Sequence, residues 1–224
     1  MAKIIPNNQQ ITKIVRAFLY GIMAVCLANI ISNFMQINLL NDYFVNNLYS
    51  DETYYILAEK NDLRVAWIAL IYSIVIFFSI FVIGRWLFVS AKINHLSGLT
   101  GLKVSPGWSI GWYFIPFANL VMPYRSLRET YKASFNIEDW QDIRIPFDFP
   151  IWWTTWLLSS VLGSIYNRLS LNLEENSSYE SWNIASYFDI SFDIMLILNA
   201  VFLKNIVNTI YENQRVTILK EENI

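Results

Sequence analysis

Four stretches of the chain are apolar for long enough to matter in lipid. Residues 17–36 and 65–84 each run without a charge, with IALIYSIVIFFSIFVI at the heart of the second. Each reaches the roughly 20 residues an α-helix needs to cross a hydrocarbon core about 30 Å thick. Residues 151–167 form a shorter run behind Pro150, a residue suited to a helix's first turn. Residues 182–203 are long enough but carry Asp189 and Asp193. The segments between the first two runs (41–64) and between the last two (168–181) are polar and acidic, too short for domains, and no period of about 20 to 50 residues recurs. The pattern predicts an all-α integral membrane bundle of four transmembrane helices, a single membrane domain over 1–224.

Between the second and third runs lies the central segment 105–132, SPGWSIGWYFIPFANLVMPYRSLRETYK. Its apolar part, Gly107 to Pro123, would reach about 25 Å as one helix, slightly short of the hydrocarbon core. A helix running through Pro116 and Pro123 would lose the bonds to the carbonyls of Trp112 and Asn119. Charge placement decides between crossing and returning. If the segment returns, Lys60, Arg64 and Arg168 stand alone on one side against the other 13 of the 16 Lys and Arg; if it crosses, the split is 7 to 9. The positive-inside rule favours the first arrangement, with both termini cytoplasmic and the segment Pro-broken and re-entrant or interfacial. Trp67 and Trp182 then fall at the outer boundary, and Trp86, Trp108, Trp112, Trp152 and Trp153 at the inner one. After Pro123 an amphipathic helix follows: Tyr124, Leu127 and Tyr131 share one face, and Arg125, Arg128, Glu129 and Lys132 the other. Arg125, Arg128 and Lys132 would meet anionic lipid at the inner face, at about 1 kcal/mol each.

Composition agrees with lipid as the solvent: 55 % of residues are hydrophobic and nine are Trp. The net charge of −2 supplies no basic field for nucleic acid. Cys26, the only cysteine, lies inside the first run, and His95, the only histidine, in a polar loop where solvation is the plain expectation. Lys13 and Arg16 precede an uncharged run longer than a signal-peptide core, which reads as an uncleaved anchor.

The polar residues inside the runs are the candidate chemistry. Asp189 and Asp193 lie one turn apart on one face, and a buried Asp in lipid needs partners. Asn29, Asn33 and Gln36 on the first run, and Ser160, Ser164 and Asn167 on the third, have the spacing to supply them. The expectation is a polar pocket in the outer half of the bundle, with Arg168 or Arg64 pairing Asp189 at its mouth. Such a pocket could bind a cation or relay protons, or simply glue helices together.

The string Pro106-Gly107-Trp108, Trp112-Tyr113-Phe114-Ile115-Pro116, Asn119, Pro123-Tyr124 and Leu127-Arg128-Glu129 resembles the bacterial membrane family called domain of unknown function 4328. The resemblance extends from about Asn94 through Trp152-Trp153 to Ile206, Ile210 and Gln214. It implies a compact multi-helix protein of a bacterial cytoplasmic membrane and brings no activity with it. Met122 departs from the basic residue that many members carry before the second proline, which weakens a headgroup role there.

No enzyme constellation is present: no H-E-x-x-H, cysteine cluster, G-x-S-x-G or Gly-rich phosphate loop. No cofactor is expected. The remaining classes are a non-enzymatic membrane scaffold or sensor and, as the alternative, a small oligomeric ion or proton transporter using the Asp189/Asp193 pocket. A scaffold would dock a cytoplasmic protein, or a second copy of the chain, with Trp140, Glu138, Asp139 and Asp142 available on the loop between the second and third runs.

Overall fold

The computed structural model describes residues 6–173 and 177–222, with side chains to residue 219. Lys3 and the side chain of Lys220, both counted in the charge split, lie outside the described residues, as do Glu174 and Glu175 of the last acidic segment. Every regular element among the described residues is helical. The elements are α1 (Gln9–Phe44), α2 (Asp51–Leu96), α3 (Trp108–Gly111), α4 (Met122–Ala133), α5 (Asp148–Leu171) and α6 (Tyr179–Glu222), with short 3-10 turns at Trp112–Phe114, Ala118–Leu120 and Trp140–Asp142.

The helices outrun the apolar stretches. α2 has 46 residues, about 69 Å at 1.5 Å each, so it extends far past a 30 Å core. The polar segment expected between the first two runs is therefore mostly helix, and only residues 45–50 connect α1 to α2. Local chemistry sets the starts. Asn7 Oδ1 accepts from the Gln9 amide at 2.8 Å ahead of α1, Asp51 and Glu52 occupy the first turn of α2, and Ser178 Oγ accepts from the Ser181 amide at α6.

Three helices, α1, α2 and α6, are long and apolar enough to cross a membrane. With 24 residues, six of them Ser or Thr and three Trp, α5 is long enough but less apolar. The expected fourth span is thus a helix, without the apolarity of the other three.

The chain folds as two compact units, one made of Met1–Tyr20, Phe77–Trp153 and Ala200–Ile224, the other of Gly21–Ile76 and Thr154–Asn199. The first has an apolar centre that includes Val15, Leu19, Trp86, Ile93, Leu127, Phe149, Val207 and Ile210. A polar network crosses it. Gln214, fully buried, donates to the Ser90 carbonyl at 2.8 Å and to Asn94 Oδ1 at 2.7 Å, and accepts from Asn8 Nδ2 at 2.8 Å. Asn94 passes the link on to the Thr130 carbonyl in α4.

The central segment belongs to this unit and is not one helix. Ile115, held extended by the proline that follows, separates the first two 3-10 turns. Phe117 then has φ 63° and ψ −39°, and the Ala118 amide donates to the Pro116 carbonyl at 2.8 Å, which makes a strained γ-turn. Pro123 sits in the first turn of α4, where its missing N–H costs nothing. The segment is thus broken around Pro116, as the sequence reading has it, and Pro123 begins a helix instead of interrupting one. Phe114, Phe117 and Leu120 remain exposed.

α4 keeps its predicted faces: Leu127 and Tyr131 are buried, Arg125 and Arg128 exposed. Burial pushes the Tyr131 phenol above its usual pKa. Glu129 accepts from the amides of Lys103 and Val104 at 3.0 and 2.8 Å, and Lys132 donates to the Gln141 carbonyl, so Lys132 is less available to lipid than its two neighbours. Two loop expectations are corrected. Trp140 is buried, with its indole N–H on the Thr100 carbonyl, so it offers no docking surface. His95 closes α2 and donates from Nε2 to the Val104 carbonyl at 2.9 Å. Gly101, at φ 80°, carries the Thr100 turn; a Cβ there would lie 2.6 Å from Gln141 Nε2.

Candidate functional site

The second unit reverses the usual order of a globular core. Leu27, Ile31, Phe34, Leu70, Ile71 and Ile74 are exposed, whereas Ser32, Asn33, Ser186, Asp189 and Asp193 are buried. Apolar outside and polar inside fits helices whose solvent is lipid, where polar groups turn toward one another.

The 3.6-residue period places Asn29 and Asn33 on one face of α1, and Asp189 and Asp193 on one face of α6. The two faces meet. Asn29 Nδ2 donates to Asp189 Oδ2 at 2.9 Å and to Asp193 Oδ2 at 2.8 Å, so one amide bridges both carboxyl groups. Asn33 Nδ2 adds a bond to Asp189 Oδ2 at 2.8 Å and another to the Asn29 carbonyl at 3.1 Å. Tyr72 of α2 donates its hydroxyl to Asp193 Oδ1 at 3.2 Å, and Cys26 Sγ lies 4.0 Å from the same hydroxyl. Asp193 thus has a donor on each oxygen. Asp189 has both of its donors on Oδ2, and none of the described residues donates to Oδ1.

A cavity of about 500 Å³ opens against this cluster. Asn29, Asn33, Gln36, Tyr72 and Asp189 contribute to its wall, joined by Tyr166, Asn167 and Ser170 of α5 and Trp182 of α6. Asp193 is not in the wall and touches it only through Asn29 and Tyr72. The α5 contribution differs from the expectation. Ser160 and Ser164 are exposed and bond back to the carbonyls of Trp156 and Ser160 in their own helix, while Gly163, Tyr166 and Ser170 face the cavity. Gly163 is what lets α5 approach: a Cβ there would stand 3.0 Å from Phe192 of α6.

Neither expected arginine pairs with Asp189. Arg64 donates to Ser32 Oγ at 3.1 Å, the Ser32 carbonyl at 3.0 Å and Asn61 Oδ1 at 2.6 Å, and Arg168 is exposed. Sequence reasoning missed Tyr72 and Cys26. The available signal was a lone hydroxyl-bearing aromatic midway along an uncharged run.

The motif residues Pro106, Gly107, Trp108, Trp112, Pro116, Asn119, Pro123, Tyr124 and Arg128 all fall in the first unit, apart from the acidic pair. Trp108 stacks on Trp112 at 4.5 Å, and Tyr124 lies edge-on to Phe149 at 6.3 Å, so several of them build aromatic packing. No curated protein and no solved structure matches the chain. A match over residues 52–212, well over half of the chain and spanning both the motif and the acidic pair, shows that it belongs to the family described as Domain of unknown function (DUF4328).

Proposed function

We propose that the chain is a non-enzymatic sensor of the bacterial cytoplasmic membrane, with four spans, both termini cytoplasmic, and a polar cavity that receives a small ligand from the outer side. One observation carries this reading: the Asn29 amide holds two buried carboxyl groups beside an open cavity, and Asp189 keeps one oxygen without a donor. Binding requires space and a group left to satisfy, and here the group is a carboxyl oxygen beside a cavity large enough for a small molecule. The cavity wall includes Gln36, Ser170 and Trp182, which lie toward the α1–α2 and α5–α6 connections; four spans put those connections outside. α5 supports the fourth span by its length of 24 residues and by Asp148 and Arg168 near its ends. Exposed Arg125 and Arg128, close in sequence to exposed Phe114, Phe117 and Leu120, suit an inner headgroup layer with anionic lipid.

The sensor reading expects amines, polyols or amino acids that fill the cavity to raise the melting temperature of the detergent-purified chain. Asn29→Leu should abolish the rise, and proteoliposomes should pass no more protons or potassium than empty vesicles. A transport role has one observation in its favour, the continuous polar series Asp189, Asn29, Asp193, Tyr72 and Cys26. Flux that disappears in Asp193→Asn would replace the sensor reading with it. A reporter fused at Asn136 and found outside the cell would break the topology.

A further inference from the structure

We infer that the ligand of this cavity is a small organic ammonium ion, seated against Asp189 with Tyr72, Tyr166 and Trp182 in the surrounding wall. This rests on the sensor reading and names the ligand class. Among the described residues the wall carries Asp189 and no Lys, Arg or His, and the Arg64 guanidinium is bonded to Ser32 of the wall and to Asn61. An anion would therefore enter directly against a carboxyl group, with that guanidinium already engaged.

A bare metal ion fits poorly on two grounds. Hard cations take about six to eight oxygens, often from several carboxylates. Asp193, the nearest second carboxyl group, is turned out of the wall with both oxygens engaged, and no group of three metal-binding side chains occurs among the described residues. The volume of about 500 Å³ is that of a small-molecule site instead. A neutral polyol could donate a hydroxyl to the free carboxyl oxygen but would bring no positive charge to it. An ammonium group supplies a positive charge for Asp189 and a cation for the aromatic rings in the wall.

The test uses the full chain in detergent, with tritiated choline as probe and with neohexyl alcohol, its uncharged isostere, and sorbitol as competitors. The inference expects saturable choline binding, competition by neohexyl alcohol at least about tenfold weaker, and a loss of about tenfold or more in Asp189→Asn. Asp189→Asn is isosteric, and its melting temperature is read alongside. Should that variant not fold, Tyr166→Leu replaces it, with a loss of about threefold or more for choline and none for the alcohol. Binding of the alcohol or sorbitol with no preference for choline overturns the ammonium assignment and leaves the sensor reading standing. Binding of none of the three overturns the ammonium assignment, and the sensor reading falls with it if the amines, polyols and amino acids above also leave the melting temperature unchanged.

Discussion

Gln214 and Asp193 are polar, wholly buried, and carried by the same helix, yet their surroundings differ in kind. Around Gln214 the amide nitrogen and oxygen are both matched, by Ser90, Asn94 and Asn8, within a packed apolar centre. Around Asp193 the matching is as complete, but its partners Asn29 and Tyr72 also face an open cavity, and its neighbour Asp189 is matched on one oxygen only. In the first, the Gln214 amide itself is saturated, while Asn8 Oδ1 and Ser90 Oγ stay buried without a partner among the described residues and Asn8 borders a smaller cavity of about 170 Å³. The second is a closed network set behind an open one, so that its residues stand between structure and ligand. Burial of a polar group does not by itself distinguish glue from site; what sets the second cluster apart is that its unmatched atom is a carboxyl oxygen of Asp189 and that the cavity beside it, about 500 Å³, is the larger of the two.

Substitutions can break that contrast. Gln214→Leu should have the largest effect, about 3 kcal/mol of stability, because it strands buried groups of both Asn8 and Asn94. Denaturant titration of the purified chain measures it. Asp193→Ala should cost about 2 kcal/mol, since Asn29 retains Asp189 and only Tyr72 loses its acceptor outright; a loss equal to that of Gln214→Leu would mean that the second unit is glue as well. Gly163→Val should cost about 1 kcal/mol through the clash with Phe192 and should weaken any ligand-induced thermal shift more than it weakens the fold. Ser160→Ala with Ser164→Ala should stay within about 0.5 kcal/mol, because both hydroxyls bond only within α5. A larger change in melting temperature would return the α5 serines to the site.

The polar contacts between α1 and α6 were legible because Asn29, Asn33, Asp189 and Asp193 are rare residues in apolar surroundings, and each pair shares a helix face by spacing alone. Tyr72 was not legible, since a tyrosine in an apolar run reads as packing until a partner is seen. Ser160 and Ser164 were misread for the opposite reason. Their spacing was right, but a hydroxyl can satisfy itself on the carbonyl one turn back, and the face that turns inward is chosen by Gly163, which permits close approach to Phe192. Helix lengths escaped because hydropathy marks where the solvent changes, whereas α2 ends where its hydrogen-bond ladder ends, well beyond residues 65–84. The proline-rich segment was legible as broken but not in how: Pro116 and Pro123 lie between and at the start of helical turns, where they interrupt nothing.

Phe117 has a positive φ of 63° and is 84 % exposed. A γ-turn centred on a bulky residue carries a strain of roughly 1–3 kcal/mol, which glycine would avoid. A ring that far from its own chain recovers little of that through internal packing, so the offset has to come from whatever surrounds it. In the interfacial arrangement proposed above, that surrounding is the acyl boundary, which rewards a Phe ring and gives nothing to a glycine. Phe117→Gly should then relax the turn in detergent and loosen it in a bilayer. The conformation of this one residue would make the lipid a participant in folding rather than a medium for it.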